Sequence, residues 1–351
     1  MRAAAASGNN TVRQVLLRFA AVAVLIGSPL QAQPVSAQEA DTSPHKVHFV
    51  ATNDHIKLEV LDWGGTGRPL IFLAGLGGTA HVFDKFALQF RGKHHVYGIT
   101  RRGFGASDKP APATDNYAAD RLGDDVLTVI TALKLDRPVL AGHSIAGEEM
   151  SSIGTRHPER IAGLVYLDAG YAYGFYAPGN LIPLGSNLTI DANDINRKQR
   201  QASMAGITPQ AAALLDDLNR TSLPQLKTDL AATRRAMRDM GKFLPDSGSP
   251  PQTPEMKIDQ AILAGQQKYT AIKAPVLAIF AVPKPIPASE SAALQSVDRI
   301  QNAQGEQQVK RFEAGNPSAK VVRLANARHD VFNSNASDVA REMNAFLDHL
   351  H

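Results

Sequence analysis

The stretch Pro138-Val-Leu-Ala-Gly-His-Ser-Ile-Ala-Gly147 decides the fold. Its apolar start predicts a buried strand that ends at Gly142, and a helix follows Ser144 at once. A serine on so tight a strand-to-helix turn is held in a strained backbone state with its hydroxyl projecting from the sheet. The residues two before and two after it must be small because strand and helix nearly touch there, and Gly142 and Ala146 meet this condition. Ser144 is therefore a candidate nucleophile, with a plain helix cap as the alternative.

Short apolar runs alternate with helical patterns on both sides of this turn. This alternation indicates an α/β fold, with a mostly parallel eight-stranded sheet and helices on both faces. No helix separates the first two strands, so we expect them to pair antiparallel at an edge. The strands are predicted at 46–51, 56–62, 69–74, 95–100, 138–142, 162–167, 275–281 and 320–325. Helices are predicted near 81–90, 117–134, 145–157 and 337–350.

Residues 172–270 break this rhythm. They contain no convincing strand and carry amphipathic helical patterns, such as 209–218 and 226–243, between Pro- and Gly-bearing breaks. We interpret this segment as a helical cap inserted into a core domain made of 38–171 and 271–351.

The first 37 residues have the pattern of a secretory signal peptide. Three arginines precede the apolar run 19–30, which is too short to span a bilayer, and Val35-Ser36-Ala37 supplies small residues for cleavage. We expect a periplasmic or secreted protein that begins near Gln38, which N-terminal sequencing of exported material would test.

Charge and cysteine content restrict the possible partners. Removing residues 1–37 takes away three arginines and no acidic residue, so the net charge falls from +4 to +1. A nearly neutral protein is a poor candidate for binding nucleic acid or anionic membrane, and no stable membrane insertion is expected. Zero cysteines exclude disulfides, a thiol nucleophile and cysteine-ligated metal. The sequence predicts no particular oligomeric state.

One of the eleven histidines is placed to act as a base. His329 lies in the short loop Asn326-Ala-Arg-His-Asp330, between the last strand and the terminal helix, at the sheet edge where Ser144 emerges. An imidazole can take a serine proton near neutral pH and return it to a leaving group. An ordinary surface-loop histidine is the alternative. His143, inside the turn, is expected to point away from Ser144.

Two carboxyl groups are candidates for the acid that orients this histidine. Asp168 directly follows the strand 162–167, so a rigid element places it. Glu290 lies about nine residues beyond its strand, past Pro283, Pro285 and Pro287, and needs a longer reach. We favour Asp168, and Glu290 stays open.

Backbone amides can stabilise an oxyanion at two places. The helix start at Ile145 offers one N–H, and the turn Gly75-Leu-Gly-Gly78 offers another, most plausibly that of Leu76. Two such donors contribute on the order of 3 kcal/mol each. A plain glycine-rich connector is the alternative for the turn.

Taken together, these motifs resemble the α/β-hydrolase superfamily. The matching landmarks, in order, are Leu73-Ala-Gly-Leu-Gly-Gly78, Arg102-Gly-Phe-Gly-Ala-Ser107, Gly142-His-Ser-Ile-Ala146 and Ala327-Arg-His-Asp-Val-Phe332. The order Ser144, Asp168, His329 agrees with the nucleophile–acid–base order of that fold. The early acid is similar to one branch of haloalkane dehalogenases, but those enzymes and epoxide hydrolases use an aspartate nucleophile, and Ser144 argues against both. Ala74 stands where the family usually has histidine.

The resemblance implies a serine hydrolase that cleaves small carboxylic esters through an acyl-enzyme. It implies no metal and no organic cofactor, and its expected partner is a small-molecule ester. Amide, lactone or carbon–carbon bond cleavage on the same triad remains open, as does a non-catalytic ligand-binding role.

Overall fold

The computed structural model describes residues 43–177, 252–289 and 292–350, with isolated positions between 213 and 231. The predicted signal peptide, Glu290 and all but isolated positions of the helical patterns at 209–218 and 226–243 lie outside the described residues. Two ends of the predicted cap are described, over 172–177 and 252–270.

All eight predicted strands are present, with ends that differ from the prediction by at most two residues. They are β1 (Lys46–Ala51), β2 (Lys57–Gly64), β3 (Pro69–Leu73), β4 (His95–Ile99), β5 (Val139–His143), β6 (Gly163–Leu167), β7 (Val276–Phe280) and β8 (Lys320–Arg323). They form one sheet in the order β1-β2-β4-β3-β5-β6-β7-β8. β2 pairs antiparallel with β1 and β4, and the other neighbours are parallel. The predicted fold class is confirmed.

Helices cover both faces of the sheet, which explains why its central strands are apolar throughout. The helices in the described residues are α1 (Asp84–Ala87), α2 (Thr114–Tyr117), α3 (Ala119–Ala132), α4 (Ala146–Arg156), α5 (Pro254–Ala264), α6 (Ala292–Gly315), α7 (Val331–Ser334) and α8 (Ala336–Leu347). Side chains of α3, α4 and α6 join the core on one face, and those of 80–90 and α8 join it on the other.

Several helical regions differ from the sequence prediction. The predicted helix 117–134 is divided at Ala118 into α2 and α3, and in place of the predicted helix 81–90 there are a 3₁₀ turn, the short α1 and a second 3₁₀ turn. The 24-residue helix α6 was not predicted, because its sequence is largely polar; among its side chains that the structure describes, Val309 and Phe312 join the hydrophobic core.

The sheet register brings the ends of the central strands to one edge. Gly142 of β5 lies beside Tyr166 of β6, and Leu167 of β6 lies beside Ile279 of β7. Residues that directly follow β5, β6 and β8 therefore meet outside the carboxyl ends of the strands, where ligands bind in open α/β sheets.

Candidate active site

The turn between β5 and α4 has the strained geometry expected from its sequence. Ser144 has φ of +53°, in a region that residues other than glycine seldom adopt. A Cβ at Gly142 would lie 2.8 Å from the Met150 methyl carbon and 3.0 Å from the Cβ of Ala146. A Cβ at Gly147 would lie 2.1 Å from the backbone oxygen of Ala169. The small residues of the motif are therefore required by close contact between strand, helix and the segment after β6.

The structure brings Ser144, His329 and Asp168 into one hydrogen-bonded line. His329 Nε2 lies 2.8 Å from Ser144 Oγ, and His329 Nδ1 lies 2.6 Å from Asp168 Oδ2. A carboxylate can only accept, so the proton of a neutral imidazole belongs on Nδ1. Nε2 is then free to accept the hydroxyl proton of Ser144, which is the arrangement that activates a serine nucleophile.

Asp168 is fully buried at the end of β6, with φ of +49°. Its Oδ1 accepts from the Ala281 backbone N–H at 2.9 Å and from the Tyr171 hydroxyl at 2.7 Å, while Oδ2 faces His329. Burial alone raises the pKa of Asp168, but the hydrogen bond from His329, its charge and the Ala281 amide together lower that pKa below its ordinary value. The carboxyl group is thus held ionised and fixed in orientation.

His143 has a place in the site that the sequence interpretation did not assign. Its Nε2 lies 3.0 Å from the backbone oxygen of His329, and the two rings are 4.6 Å apart between centroids. Burial, together with the neighbouring His329, lowers the pKa of His143 to about 3. A neutral imidazole with its proton on Nε2 donates to that carbonyl and supports the loop that carries His329.

This depressed pKa has a consequence for stability. The unfolded chain, with an ordinary histidine pKa of 6.5, binds the proton first, so the free energy of unfolding should fall as the pH drops from 6.5 towards 3. The loss from this group should be about 1.4 kcal/mol per pH unit. His143→Gln keeps a donor but does not titrate, so urea unfolding from pH 7 to 4 should show a shallower decline. Parallel curves for the two proteins would contradict this account of His143.

The two predicted oxyanion amides lie at segments that approach the nucleophile. A Cβ at Gly75 would be 3.2 Å from the Cβ of Ser144, so the turn that carries Leu76 passes directly beside the serine. Ile145 has φ of −56° and ψ of −21° at the start of α4. Within the described residues, neither the Leu76 amide nor the Ile145 amide has a backbone acceptor outside regular helices and strands. Neither N–H group is thus taken up by such a backbone hydrogen bond, as the predicted oxyanion role requires.

Arg101, another residue that the sequence interpretation left unassigned, holds these two segments together. Its guanidinium group donates to Glu149 of α4 at 2.9 and 3.1 Å, and to the backbone oxygen of Ala74 at 3.0 Å. Both side chains of the ion pair are almost completely buried. The position of Arg101 in the sequence gives no signal for this role, because its partners lie 27 residues before and 48 residues after it.

An apolar wall covers one side of the nucleophile and includes part of the predicted cap. It is a single cluster in which residues of α5 pack against both oxyanion segments. Its members are Phe104, Tyr117, Leu122, Ile145, Tyr173, Ile258, Ala261 and Ile262, with Leu76, Tyr171 and Leu263 packed at its margin.

In the described residues, no group of three or more His, Asp or Glu side chains is arranged to hold a metal ion. No helix in that part of the chain is both long and apolar enough to cross a membrane.

The family model for the alpha/beta hydrolase fold matches residues 68–336. The chain belongs to this family.

Individual relatives are similar to this chain over a smaller number of residues than the family model matches. The AB hydrolase superfamily protein YisY of Bacillus subtilis is 35% identical over 143 residues, covering 36% of this chain and 50% of that protein. The 2-(acetamidomethylene)succinate hydrolase of Mesorhizobium japonicum is 25% identical over 104 residues, covering 30% and 36%. The chain thus spans about half or less of the length of these curated relatives.

Solved structures agree over a larger share of the chain. A crystal structure of E-2-(acetamidomethylene)succinate hydrolase superposes with a TM-score of 0.53 at 17% identity, covering 87% of this chain and all of that one. Est816, described as an N-acyl homoserine lactone degrading enzyme, superposes with a TM-score of 0.50 at 21% identity, covering 86% of this chain and 100% of its own. At these identities the likeness concerns the fold alone.

Proposed function

We propose that this protein is a serine hydrolase that cleaves small carboxylic esters. The observation that carries the proposal is the continuous line from Ser144 Oγ through His329 to Asp168, with contacts of 2.8 and 2.6 Å. A buried, ionised acid behind an imidazole that faces a strained serine is suited to two-step acyl transfer.

In the first step, Ser144 Oγ attacks the ester carbonyl carbon and His329 Nε2 takes the hydroxyl proton. The carbonyl oxygen becomes an oxyanion within reach of the Leu76 and Ile145 amides. When the carbon–oxygen bond breaks, His329 returns the proton to the leaving alcohol. Asp168 keeps the proton on Nδ1 throughout and stabilises the imidazolium.

In the second step, a water molecule gives a proton to His329 and attacks the acyl-enzyme. The same two amides stabilise the second tetrahedral oxyanion. Its collapse releases the carboxylic acid and returns the proton to Ser144, so the residues are regenerated and no group from outside the chain is consumed.

Amide hydrolysis is the second candidate. It is favoured by the sequence similarity to a hydrolase whose named substrate, 2-(acetamidomethylene)succinate, carries an acetamide group. The same residues can serve both reactions, because only the leaving group changes.

A fluorophosphonate probe separates catalysis from simple ligand binding, because an activated serine is labelled and an unactivated one is not. We expect labelling of the native protein and none after His329→Gln, with His157→Gln, a histidine outside the site, as the matched control. Esters of increasing acyl length, assayed beside matched amides and lactones, should show ester cleavage as the fastest reaction. Absence of labelling would contradict the proposed function, and faster amide cleavage would favour the second candidate.

A further inference from the structure

Beside the nucleophile, the structure buries polar groups that the reaction scheme does not use. Glu148 lies one helical turn after Ser144 on α4 and is completely buried, and Tyr173, in the segment after β6, is 3% exposed. In the described part of the chain, neither carboxyl oxygen of Glu148 has a hydrogen-bond partner, and the Tyr173 hydroxyl has none beyond its contact with Ser144. Unpaired buried polar atoms are rare in native proteins because each costs free energy.

The Tyr173 side chain interacts with Ser144. Burial and the charges of Asp168 and Glu148 raise the pKa of the Tyr173 hydroxyl, while a hydrogen bond with Ser144 lowers it. Tyr173 also belongs to the apolar wall, packed with Ile145 and Ile258.

The charges around Glu148 and Tyr173 indicate which kind of ligand group could form hydrogen bonds with these side chains. Arg101, the nearest cation, is already occupied by Glu149 and the backbone oxygen of Ala74. Burial and the charge of Glu149 raise the pKa of Glu148 well above its usual range, although Arg101 opposes this, so the uncharged acid is favoured. An uncharged carboxyl and a phenol each donate and accept.

The segment that enters from the cap side supplies groups of the same type. Gln266, just beyond α5, is 1% exposed, and both polar atoms of its amide lack partners within the described residues. Asp259 of α5 has one buried, unpaired oxygen and interacts with Arg101. Helix α5 and the residue just beyond its end thus also carry buried polar groups without partners.

We propose that Glu148 and Tyr173 form a specificity subsite beside Ser144 that binds an uncharged hydrogen-bonding group of the substrate, a hydroxyl or a carboxamide. The apolar wall then receives the aliphatic part of the same molecule. The proposal rests on the proposed ester hydrolysis and narrows its substrate class to small esters that carry such a group.

Matched ester pairs test the subsite. Methyl 3-hydroxybutyrate is compared with methyl butyrate for a group on the acyl side, and 2-hydroxyethyl butyrate with propyl butyrate for one on the alcohol side. In the native protein, we expect kcat/KM for the hydroxylated ester of one pair to exceed that of its partner by about tenfold or more, the scale for leaving a buried polar group unpaired.

Three variants and a control connect this preference to the subsite. Glu148→Leu should bring the ratio close to one, Tyr173→Phe should lower it several-fold, and Glu148→Gln should retain most of it. Tyr166→Phe is the matched control, because the Tyr166 hydroxyl pairs with Ser151 at 2.8 Å in the core on one face of the sheet. Its ratio should not change. Equal ratios in all proteins, or a preference for methyl 3-aminobutyrate or monomethyl succinate, would overturn the proposal.

Binding to Ser144→Ala separates failure of the subsite from failure of the proposed chemistry. In thermal melts at equal ligand concentration, the hydroxylated ester should raise the midpoint more than its alkyl partner does, because ligand that binds only the folded state stabilises it. Glu148→Leu in the same background should abolish this difference. If the two esters shift the midpoint differently but the native protein cleaves no ester, the subsite is supported and the ester hydrolase is rejected. If the native protein cleaves esters but the two midpoint shifts are equal, the ester hydrolase is supported and the subsite is rejected.

Discussion

Ser144→Ala is expected to lower ester turnover by about a millionfold, the scale seen when a triad nucleophile is removed. The imidazole and the oxyanion amides stay in place, but no atom is left to form the acyl-enzyme. The fold should persist because alanine satisfies the same demand for a small side chain at this turn.

The comparison protein is Ser152→Ala, a serine of α4, the helix that follows Ser144, whose hydroxyl donates to Asp120 at 2.7 Å rather than facing His329. Initial rates with a nitrophenyl ester, together with thermal melts of both variants, check the expectation. Native-rate cleavage by Ser144→Ala would show that the chemistry occurs at another residue.

Asp168→Asn should reduce turnover by about 10⁴-fold, the scale measured when a triad acid is neutralised. The asparagine oxygen can still accept from the Ala281 amide and the Tyr171 hydroxyl, which fixes its NH₂ group towards His329. His329 then has to place its proton on Nε2, where it donates to Ser144 instead of accepting from it. The rate falls because the tautomer is wrong, although the geometry is kept.

Glu290→Gln provides the matched comparison, since Glu290 is the other carboxyl that the sequence left open. It should cost little turnover. The assignment of the acid fails if Glu290→Gln cripples the enzyme and Asp168→Asn is mild, yet labelling of Ser144 by the fluorophosphonate probe would then still identify a serine hydrolase.

Much of the fold could be predicted from the sequence, because the central strands are buried on both faces and read as uninterrupted apolar runs. The strands β5 and β6 end directly before Ser144 and Asp168, so their registers also placed two of the candidate site residues at one edge. Helix α6 was not predicted because most of its length is polar; of its described side chains, Val309 and Phe312 reach the hydrophobic core.

The supporting residues of the site could not be predicted in the same way. The roles of three supporting residues depend on contacts with residues distant in the chain, or on burial away from solvent. These residues are His143, Arg101 and Tyr173. Neither property leaves a periodic pattern. The small residues of the turn between β5 and α4 did leave a sequence pattern, because steric exclusion acts at fixed positions around Ser144.

The buried ion pair of Arg101 links two segments beside Ser144, so that neither can move independently of the other. The same guanidinium group joins helix α4, through Glu149, to the turn that carries Leu76, through Ala74. If either segment moves away alone, a desolvated charge is left without its partner, at a cost of about 3–5 kcal/mol. If Leu76 and Ile145 supply the oxyanion amides as proposed, this ion pair fixes their spacing before substrate binds, so little binding energy is needed to assemble the site.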